Sequence, residues 1–221
     1  MKLKFIILSI FILAGIMIIL GSIPIHDNSS SESVQILDSN VHGNVMENPA
    51  IKRYLNNTSF NQEMVSKLEQ GSLVYRLGNG KGKTIMIIGG IHGDEPQGPL
   101  TVTEFMNYLK NKEINGTIYI VPFAIPVDTE KNSRNYVGSS QHYDPNRKAD
   151  VAGTPVNNIL NFALAHKVDY IIDVHAGEGV SSNGLVYFQS NPEEIWAKYI
   201  QEKTGCVIKT KPHSGTFRSE A

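Results

Sequence analysis

Residues 84–95 read TIMIIGGIHGDE, an uninterrupted apolar run that ends in a glycine-rich polar turn. A short apolar run bounded by turn residues is typical of a strand that is buried on both faces. In open α/β sheets, ligands bind beyond the carboxyl ends of the strands. His92 and Glu95 follow this strand directly, and their three-residue offset in a tight glycine turn lets an imidazole and a carboxylate point at one centre.

A second apolar run, YIIDV at residues 170–174, ends in the same way, in His175 followed by Ala and Gly. Two parallel strands would therefore deliver two histidines and one carboxylate to the same side of a sheet. Two histidines and a carboxylate, with a fourth position open to water, form a typical catalytic zinc shell. The sequence thus predicts a Zn²⁺ site formed by His92, Glu95 and His175.

One acidic residue, Asp173, lies two positions before His175. Because side chains alternate along a strand, the two residues are expected on the same face of the sheet. Asp173 is therefore predicted either to orient His175, by accepting a hydrogen bond from its other ring nitrogen, or to cap a neighbouring helix or turn.

Strands and helices alternate on both sides of these two runs. Strands are predicted over residues 72–77, 84–88, 117–121, 170–174, 185–188 and 206–209, and helices over 51–68, 99–110, 157–165 and 192–204. The alternation predicts an α/β fold, a three-layer sandwich in which helices cover both faces of a mostly parallel or mixed sheet. A further helix is predicted to begin at residues 219–221, so the sheet is expected to be incomplete at the C-terminal end.

The N-terminal segment differs in composition from the rest of the chain. After Lys2 and Lys4, residues 5–25 carry no charge, and such a run is long enough to span about 30 Å of hydrocarbon. Its length favours an uncleaved signal anchor over a cleaved signal peptide, and the lysines place the following chain outside the cytoplasm. Residues 26–50, rich in Ser, Asn and Asp, predict a flexible stalk, which leaves residues 51–221 as the domain that carries the predicted zinc site.

The overall composition excludes some classes of function. The 20 basic and 21 acidic residues give a net charge of −1, so no basic excess steers the protein onto nucleic acid. The single cysteine, Cys206, excludes an intramolecular disulfide and a cysteine-based zinc cluster. It is predicted to occupy a buried strand position.

Residues 122–153 form a long stretch without a clear element, and such loops are usually functional or disordered. The stretch contains the segments RNY at residues 134–136 and DPNR at residues 144–147. The planar fork of an arginine suits a carboxylate, and an arginine beside a metal can stabilise an oxyanion. The alternative is that these are ordinary loop residues.

Taken in order, the segments HGDE, RNY, DPNR and DVHAG resemble the zinc carboxypeptidase clan. They are most similar to the succinylglutamate desuccinylase/aspartoacylase family, in which the corresponding segments read HGNE or HGDE, DLNR and DLHxG. The resemblance covers roughly residues 73–177, and Pro145 stands where the family usually has Leu. It implies that zinc is bound by His92, Glu95 and His175, the substrate carboxylate by Asn146 and Arg147, and that Arg134 polarises the scissile carbonyl.

The general base is less well defined. The family uses a Glu on a later strand, and the resemblance leaves Glu220, near the chain end, as one candidate. Glu178, in a glycine-rich turn, is another, and a residue beyond position 221 is the third.

The sequence therefore predicts a zinc hydrolase that cleaves an amide bond of an acyl-amino acid or peptide next to a free carboxylate. In such a reaction the zinc polarises the carbonyl and a Glu takes a proton from water. The exterior location favours a carboxypeptidase or amidase over an enzyme of amino-acid catabolism. The alternative is a membrane-tethered, non-catalytic zinc- or ligand-binding domain, or a truncated inactive homologue.

Overall fold

The computed structural model describes residues 32–176, 185–187 and 191–209. The strands are β1 (Ser33–Asp38), β2 (Ser72–Leu77), β3 (Thr84–Gly89), β4 (Thr117–Val121), β5 (Tyr170–Val174), β6 (Leu185–Tyr187) and β7 (Val207–Lys209). The α-helices are α1 (Pro49–Tyr54), α2 (Ser59–Leu68), α3 (Gln97–Leu109), α4 (Pro126–Glu130), α5 (Pro155–Ala165) and α6 (Asn191–Thr204). Short 3₁₀ turns span Ser39–Val41, Val45–Glu47 and Pro145–Arg147.

The main sheet has five strands in the order β1-β2-β4-β3-β5. Strand β3 lies between β4 and β5 and pairs with both in parallel, whereas β2 pairs with β1 and β4 in antiparallel fashion. In the register of β3 and β5, Ile88 is opposite Asp173 and Gly89 opposite Val174. The two strands therefore end level with each other, and the predicted α/β fold with a mixed sheet is confirmed.

The central part of the sheet is buried on both faces. Successive side chains of β3 point to opposite faces, and each set enters a different core. Ile85 and Ile87 belong to one core, which includes Met64 and Leu68 of α2 and Phe105 and Met106 of α3. Met86 and Ile88 belong to the other core, with Val156, Ile159, Leu160 and Ala163 of α5. Helices thus pack against both faces, which explains why β3 reads as an unbroken apolar run.

Two glycines let helix α3 begin close to the ends of the central strands. A Cβ atom at Gly98 would lie 2.6 Å from the carbonyl oxygen of Val174, and one at Gly89 would lie 3.0 Å from the carbonyl oxygen of Gly98. Both neighbours are backbone atoms that no rotamer change can move. The missing side chains therefore allow α3 to follow the turn after β3 directly.

The predicted stalk over residues 26–50 is wrong for its described part. Ser33–Asp38 forms β1, which pairs with β2 at the edge of the sheet, and Pro49 already begins α1. Two apolar side chains of this edge strand remain partly exposed, at 36% for Val34 and 46% for Ile36. Only the end of the strand is buried, partly at Leu37 and more fully at Asp38, so its sequence lacks the pattern that identifies a core strand.

Other differences concern element boundaries. The single helix predicted over residues 51–68 is two helices, α1 and α2, and the second is capped by Thr58. The long stretch 122–153 contains α4 and the 3₁₀ turn at 145–147. Cys206 is buried as predicted, but it lies just before β7.

The uncharged segment 5–25 and the acidic residues Glu178 and Glu220 lie outside the described residues. Within the described part of the chain, no helix combines the length and apolar character needed to cross a membrane.

Candidate metal centre

The first two candidate ligands occupy the turn that follows β3. The side chain of His92 is 2% exposed, and its Nδ1 lies 2.9 Å from Oε1 of Glu95. The backbone N–H of Glu95 donates to the carbonyl of His92, with an N–O distance of 3.3 Å. Gly90, at the start of the turn, has a φ of +75°, in the left-handed region that favours glycine. The short turn therefore brings the two side chains together, as the sequence predicts.

The third candidate ligand, His175, follows the end of β5. Its Nδ1 lies 2.9 Å from Oε2 of Glu95, and the same oxygen accepts a hydrogen bond of 2.8 Å from the backbone N–H of Ala176. The ring centroids of His92 and His175 are 4.9 Å apart. Each of the three side chains offers a ligand atom within 4.8 Å of the others. The level ends of β3 and β5 thus place the three predicted ligands around one point.

The far nitrogens of both histidines contact a second set of carboxylates. Nε2 of His175 lies 2.8 Å from Oδ2 of Asp173, and Nε2 of His92 lies 2.8 Å from Oδ1 of Asp144. Of the two roles considered for Asp173, orientation of the histidine agrees with this contact. Asp144 is a partner that the sequence analysis missed, although it opens the DPNR segment.

The contacts determine the protonation of the metal-free centre. Burial alone would lower the pKa of His175, but Asp173 and Glu95 raise it to about 10. Burial would also lower the pKa of His92, and its hydrogen bonds to Asp144 and Glu95 raise it instead. Burial would raise the pKa of Glu95, yet its hydrogen bonds with the two histidines hold it well below its ordinary range. The surrounding carboxylates therefore favour the protonated form of both rings when no metal is bound.

Arg134 lies at the rim of the centre. Its Nη1 donates to Oε1 of Glu95 at 2.9 Å, and its Nη2 donates to Oδ2 of Asp144 at 3.3 Å. The side chain is 47% exposed, so its outer surface faces solvent. Burial would raise the pKa of Asp144, but the hydrogen bond with His92 and the charges of the nearby arginines lower it to about 2. The structure therefore joins the predicted Arg134 to the ligand cluster.

Asn146 and Arg147 approach the centre differently from each other. Asn146 is buried, and its Nδ2 lies 3.1 Å from Nε2 of His175. Its Oδ1 has no hydrogen-bond partner among the described residues. Arg147 is more exposed, and its Nη1 donates to the carbonyl of Asn146 at 2.7 Å and lies 4.0 Å from Oδ2 of Asp144. Asn146 thus lies against a ligand ring, whereas Arg147 is at the outer edge.

A buried carboxyl group lies beneath the turn. Asp128, on α4, is 0% exposed, and its Oδ1 accepts a hydrogen bond of 2.9 Å from the N–H of Val137. Its Oδ2 has no partner within residues 32–176 or the other described segments. Burial raises the pKa of Asp128 to about 7, against the opposing effects of the Val137 hydrogen bond and the His92 charge. No local sequence pattern identifies this residue.

The three-residue cluster fits a zinc ion by the chemistry of its donors. Two imidazole nitrogens and a carboxylate are ligands that zinc accepts, at bond lengths of about 2.0–2.2 Å. A tetrahedral shell with those bonds keeps its ligand atoms roughly 3.3–3.6 Å apart. The contacts of 2.9 Å and the outer limit of 4.8 Å bracket that separation. Carboxylate partners on both far nitrogens match the outer contacts that metal-bound histidines usually have.

Residues 81–219 match the succinylglutamate desuccinylase/aspartoacylase catalytic domain. No curated protein matches the sequence.

Among solved structures, an aspartoacylase family protein from Mesorhizobium loti is 18% identical and has a TM-score of 0.46; the match covers 65% of this chain and 56% of that one. A succinylglutamate desuccinylase/aspartoacylase from Rhodobacter sphaeroides is 19% identical, with 64% and 52% covered and a TM-score of 0.44. A metallo-carboxypeptidase from Burkholderia cenocepacia is 15% identical, with 65% and 46% covered and a TM-score of 0.49. The chain spans about half the length of these structures.

Proposed function

Because the chain belongs to the succinylglutamate desuccinylase/aspartoacylase family, we propose that it is a zinc-dependent hydrolase that cleaves an amide bond next to a free carboxylate. One observation carries this proposal: ligand atoms of His92, Glu95 and His175 lie within 4.8 Å of one another at the ends of two parallel strands. The carboxylates behind both histidines support it, since they hold each ring with its Nδ1 toward the centre.

Zinc bound to this cluster would supply a Lewis acid that polarises a substrate carbonyl and lowers the pKa of water to about 7. Asp144 and Asp173 keep the two imidazole rings in place through their Nε2 atoms. Arg134 provides a positive charge at the rim, 2.9 Å from Oε1 of Glu95, where it can stabilise the oxyanion that develops on the substrate.

The substrate class follows from the second arginine. The guanidinium of Arg147 is a planar fork that can bind a carboxylate through two parallel hydrogen bonds. Its side chain is 39% exposed and lies within 4.0 Å of Asp144, which itself contacts His92. A substrate carboxylate held there would lie beside the metal centre. We therefore propose acyl-amino acids or peptides with a free carboxylate next to the scissile bond as substrates.

The proton acceptor in this proposal is Glu220, Glu178 or a residue beyond position 221, and both of these glutamates lie outside the described residues. A positioned general base contributes about 10²–10⁴-fold to the rate. Changing each Glu to Gln separately would show whether either is the base, since a catalytic Glu should produce a loss of that size with zinc content unchanged.

The metal test uses the full 221-residue chain. We expect about one zinc per chain, and an empty site after His92→Ala or His175→Ala, because each change removes one of three ligands. Full zinc occupancy in both variants would contradict the metal assignment.

The activity test compares an N-acyl amino acid with the same compound in which the carboxylate is replaced by an amide. We expect Arg147→Ala to raise KM for the carboxylate substrate only, since the group binds before and during the reaction. Arg134→Ala should instead lower kcat by about 10²–10³-fold, because the oxyanion exists only in the transition state. Lys148→Ala, which removes a neighbouring positive charge, is the control. Turnover that survives both arginine changes would remove the substrate model.

A second candidate function is a non-catalytic domain that binds a metal and a carboxylate ligand. One observation favours it. In the described part of the chain, the carboxylates of Glu95, Asp144 and Asp173 all contact the histidines of the centre, so none of these three is free to act as a general base. This alternative predicts zinc binding and carboxylate binding without turnover of any acyl-amino acid or peptide.

The location of the domain is a separate proposal. The uncharged segment 5–25, preceded by Lys2 and Lys4, supports a membrane anchor with the domain outside the cytoplasm. Protease added to intact cells should then digest the domain. A mature N-terminus between residues 21 and 26 would replace the anchor with a cleaved signal peptide.

A further inference from the structure

We propose that Asn48 is a positioning residue for the metal centre: it holds the turn that carries His92 and Glu95 against the loop that carries Arg134. The inference rests on the proposed metal site. It extends that site to a residue outside the segments HGDE, RNY, DPNR and DVHAG. Asn48 is only 1% exposed, although it lies in the part of the chain for which the sequence predicts a flexible stalk.

The side-chain amide of Asn48 contacts both segments at once. Its Nδ2 lies 2.9 Å from the carbonyl oxygen of Thr129, 3.2 Å from Oδ1 of Asn132 and 3.4 Å from the carbonyl oxygen of Gly93, and these three acceptors share its two hydrogens. Gly93 directly follows His92, while Thr129 lies in the last turn of α4 and Asn132 follows the helix, just before Arg134. One buried NH₂ group thus joins the ligand turn to the arginine loop.

The two segments also touch each other through their backbones. The N–H of Gly93 donates to the carbonyl of Ser133 at 2.8 Å, and the N–H of Ser133 donates to the carbonyl of Asp128 at 2.9 Å. A Cβ atom at Gly93 would overlap that same carbonyl oxygen of Asp128. The ligand turn therefore lies directly on α4 and the residues after it, and Asn48 closes this contact from the side.

The orientation of the Asn48 amide is fixed by its other end. Its Oδ1 accepts hydrogen bonds from the N–H groups of Ala50 at 3.0 Å and Ile51 at 3.3 Å, which caps α1. A rotated amide would turn its oxygen toward three acceptor oxygens and its NH₂ toward two donors. The residues before it are anchored as well, since the N–H of Asn44 donates to Oε2 of Glu130 at 2.7 Å. Asn48 therefore cannot turn away from Gly93 without uncapping α1.

Residues that orient metal ligands from outside typically contribute about 10–100-fold to metal affinity. Asn48→Ser separates this role from helix capping, because serine keeps a capping oxygen but is too short to reach Gly93. Thr58→Ala is the matched control: Thr58 caps α2 through the N–H of Asn61 at 3.1 Å and takes part in none of the contacts described above. Thr58→Ala therefore weakens a helix N-terminus and leaves the ligand turn in place, whereas Asn48→Ser keeps a capping oxygen and releases the ligand turn.

The experiment measures zinc affinity by competition with a chelator, and the absorption spectrum of the cobalt-substituted full chain. We expect Asn48→Ser to weaken zinc binding about 10–100-fold and to shift the cobalt spectrum. Thr58→Ala should change neither, even though it lowers the thermal midpoint. Wild-type affinity and an unchanged spectrum in Asn48→Ser, or an equal loss of affinity in Thr58→Ala, would overturn the proposal.

A second measurement separates this inference from the proposed function. In the metal-free chain, Asn48→Ser should speed amide hydrogen exchange at Gly93 and Ser133, whereas Thr58→Ala should not. Wild-type protein that binds no zinc would refute the proposed function, and the exchange comparison would still decide whether Asn48 holds the turn. If Asn48→Ser does not fold, Asn132→Gly removes one of the three acceptors, keeps the left-handed φ of +50° accessible and should weaken zinc binding several-fold. An unchanged affinity in Asn132→Gly would then count against Asn48.

Discussion

Nε2 of His92 and Oδ1 of Asp144 lie 2.8 Å apart, although the two residues are separated by 52 positions in the sequence. The second oxygen of Asp144 accepts a hydrogen bond from Nη2 of Arg134 at 3.3 Å. A single carboxylate therefore orients a proposed metal ligand and holds a proposed catalytic arginine. The pKa of Asp144, lowered to about 2, keeps this group ionised at any physiological pH.

Asp144→Asn should weaken zinc binding about 10–100-fold, because the amide cannot provide the negative charge that holds the Nε2–H of His92. Chelator competition measures the change. Asp150→Asn, at an exposed position six residues further along the same loop, should leave the affinity unchanged. Wild-type affinity in Asp144→Asn would show that His92 keeps its orientation without this partner.

Zinc binding should release protons at neutral pH. The pKa of His175 is raised to about 10, so its ring is protonated in the metal-free centre at neutral pH. Burial would lower the pKa of His92, but its hydrogen bonds to Asp144 and Glu95 raise it, which favours the protonated ring. Metal ligation requires the neutral ring, and each proton displaced makes the affinity rise about tenfold per pH unit. Calorimetry in two buffers of different ionisation enthalpy should detect at least about one proton released per zinc at pH 7.5. An affinity that stays constant from pH 6 to pH 9 would contradict the protonated centre.

Asp128 should make the metal-free fold less stable as the pH rises. Its pKa is raised from 3.8 to about 7, so the folded state favours the neutral acid. The resulting stability is fully present below about pH 4 and is lost as the pH rises to about 7, by on the order of 4 kcal/mol.

Asp128→Asn is uncharged at every pH and should lack this loss. Urea titrations of both proteins at several pH values, with chelator present, measure the difference in unfolding free energy. Between pH 4 and pH 7, the unfolding free energy of the wild type should fall relative to that of Asp128→Asn. A constant difference over this range would mean that Asp128 is ionised in the folded protein.

Gly93→Ala should destabilise the fold by at least ~3 kcal/mol and abolish zinc binding, because the added Cβ meets the carbonyl oxygen of Asp128, a backbone atom that cannot rotate away. Gly153→Ala is the comparison. Gly153 has a φ of +80°, and within the described structure nothing lies within 4 Å of a Cβ built there. It should cost only the ~1–2 kcal/mol of a left-handed alanine and leave zinc binding intact. Denaturant unfolding and metal analysis of both variants test this; equal effects would show that strain, not the clash, dominates.

The central strands could be predicted from sequence because burial on both faces removes polar residues from them. The boundaries of β2, β4 and β5 coincide with the predicted ranges, and β3 is longer by one glycine. Strand β1 could not be predicted, since Val34 and Ile36 are partly exposed and its hydrogen bonds to β2 leave no trace in composition. The sequence analysis also misses the break between α1 and α2, although Thr58 is a typical helix N-cap.

For the site, position after a strand was the useful signal. His92, Glu95 and His175 each follow the carboxyl end of a strand, and parallel pairing of β3 and β5 brings them together. Asp144, Asp128 and Asn48 act through contacts between distant parts of the chain, such as the one from Asn48 to Gly93 across 45 residues. Their local sequence is that of ordinary loops and helix ends, so only the fold reveals these contacts.

The proposed ligands are translated at different times because they are far apart in the sequence. His92 and Glu95 leave the ribosome first, and His175 follows Glu95 by 80 residues. At about 5–20 residues per second, the nascent chain carries two of its three ligands for roughly 4–16 s before the third is made. During that interval β3 also lacks its neighbour β5. A metal ion captured early would have only a partial shell, so loading of the proposed centre would have to wait until the second parallel strand has been translated and paired.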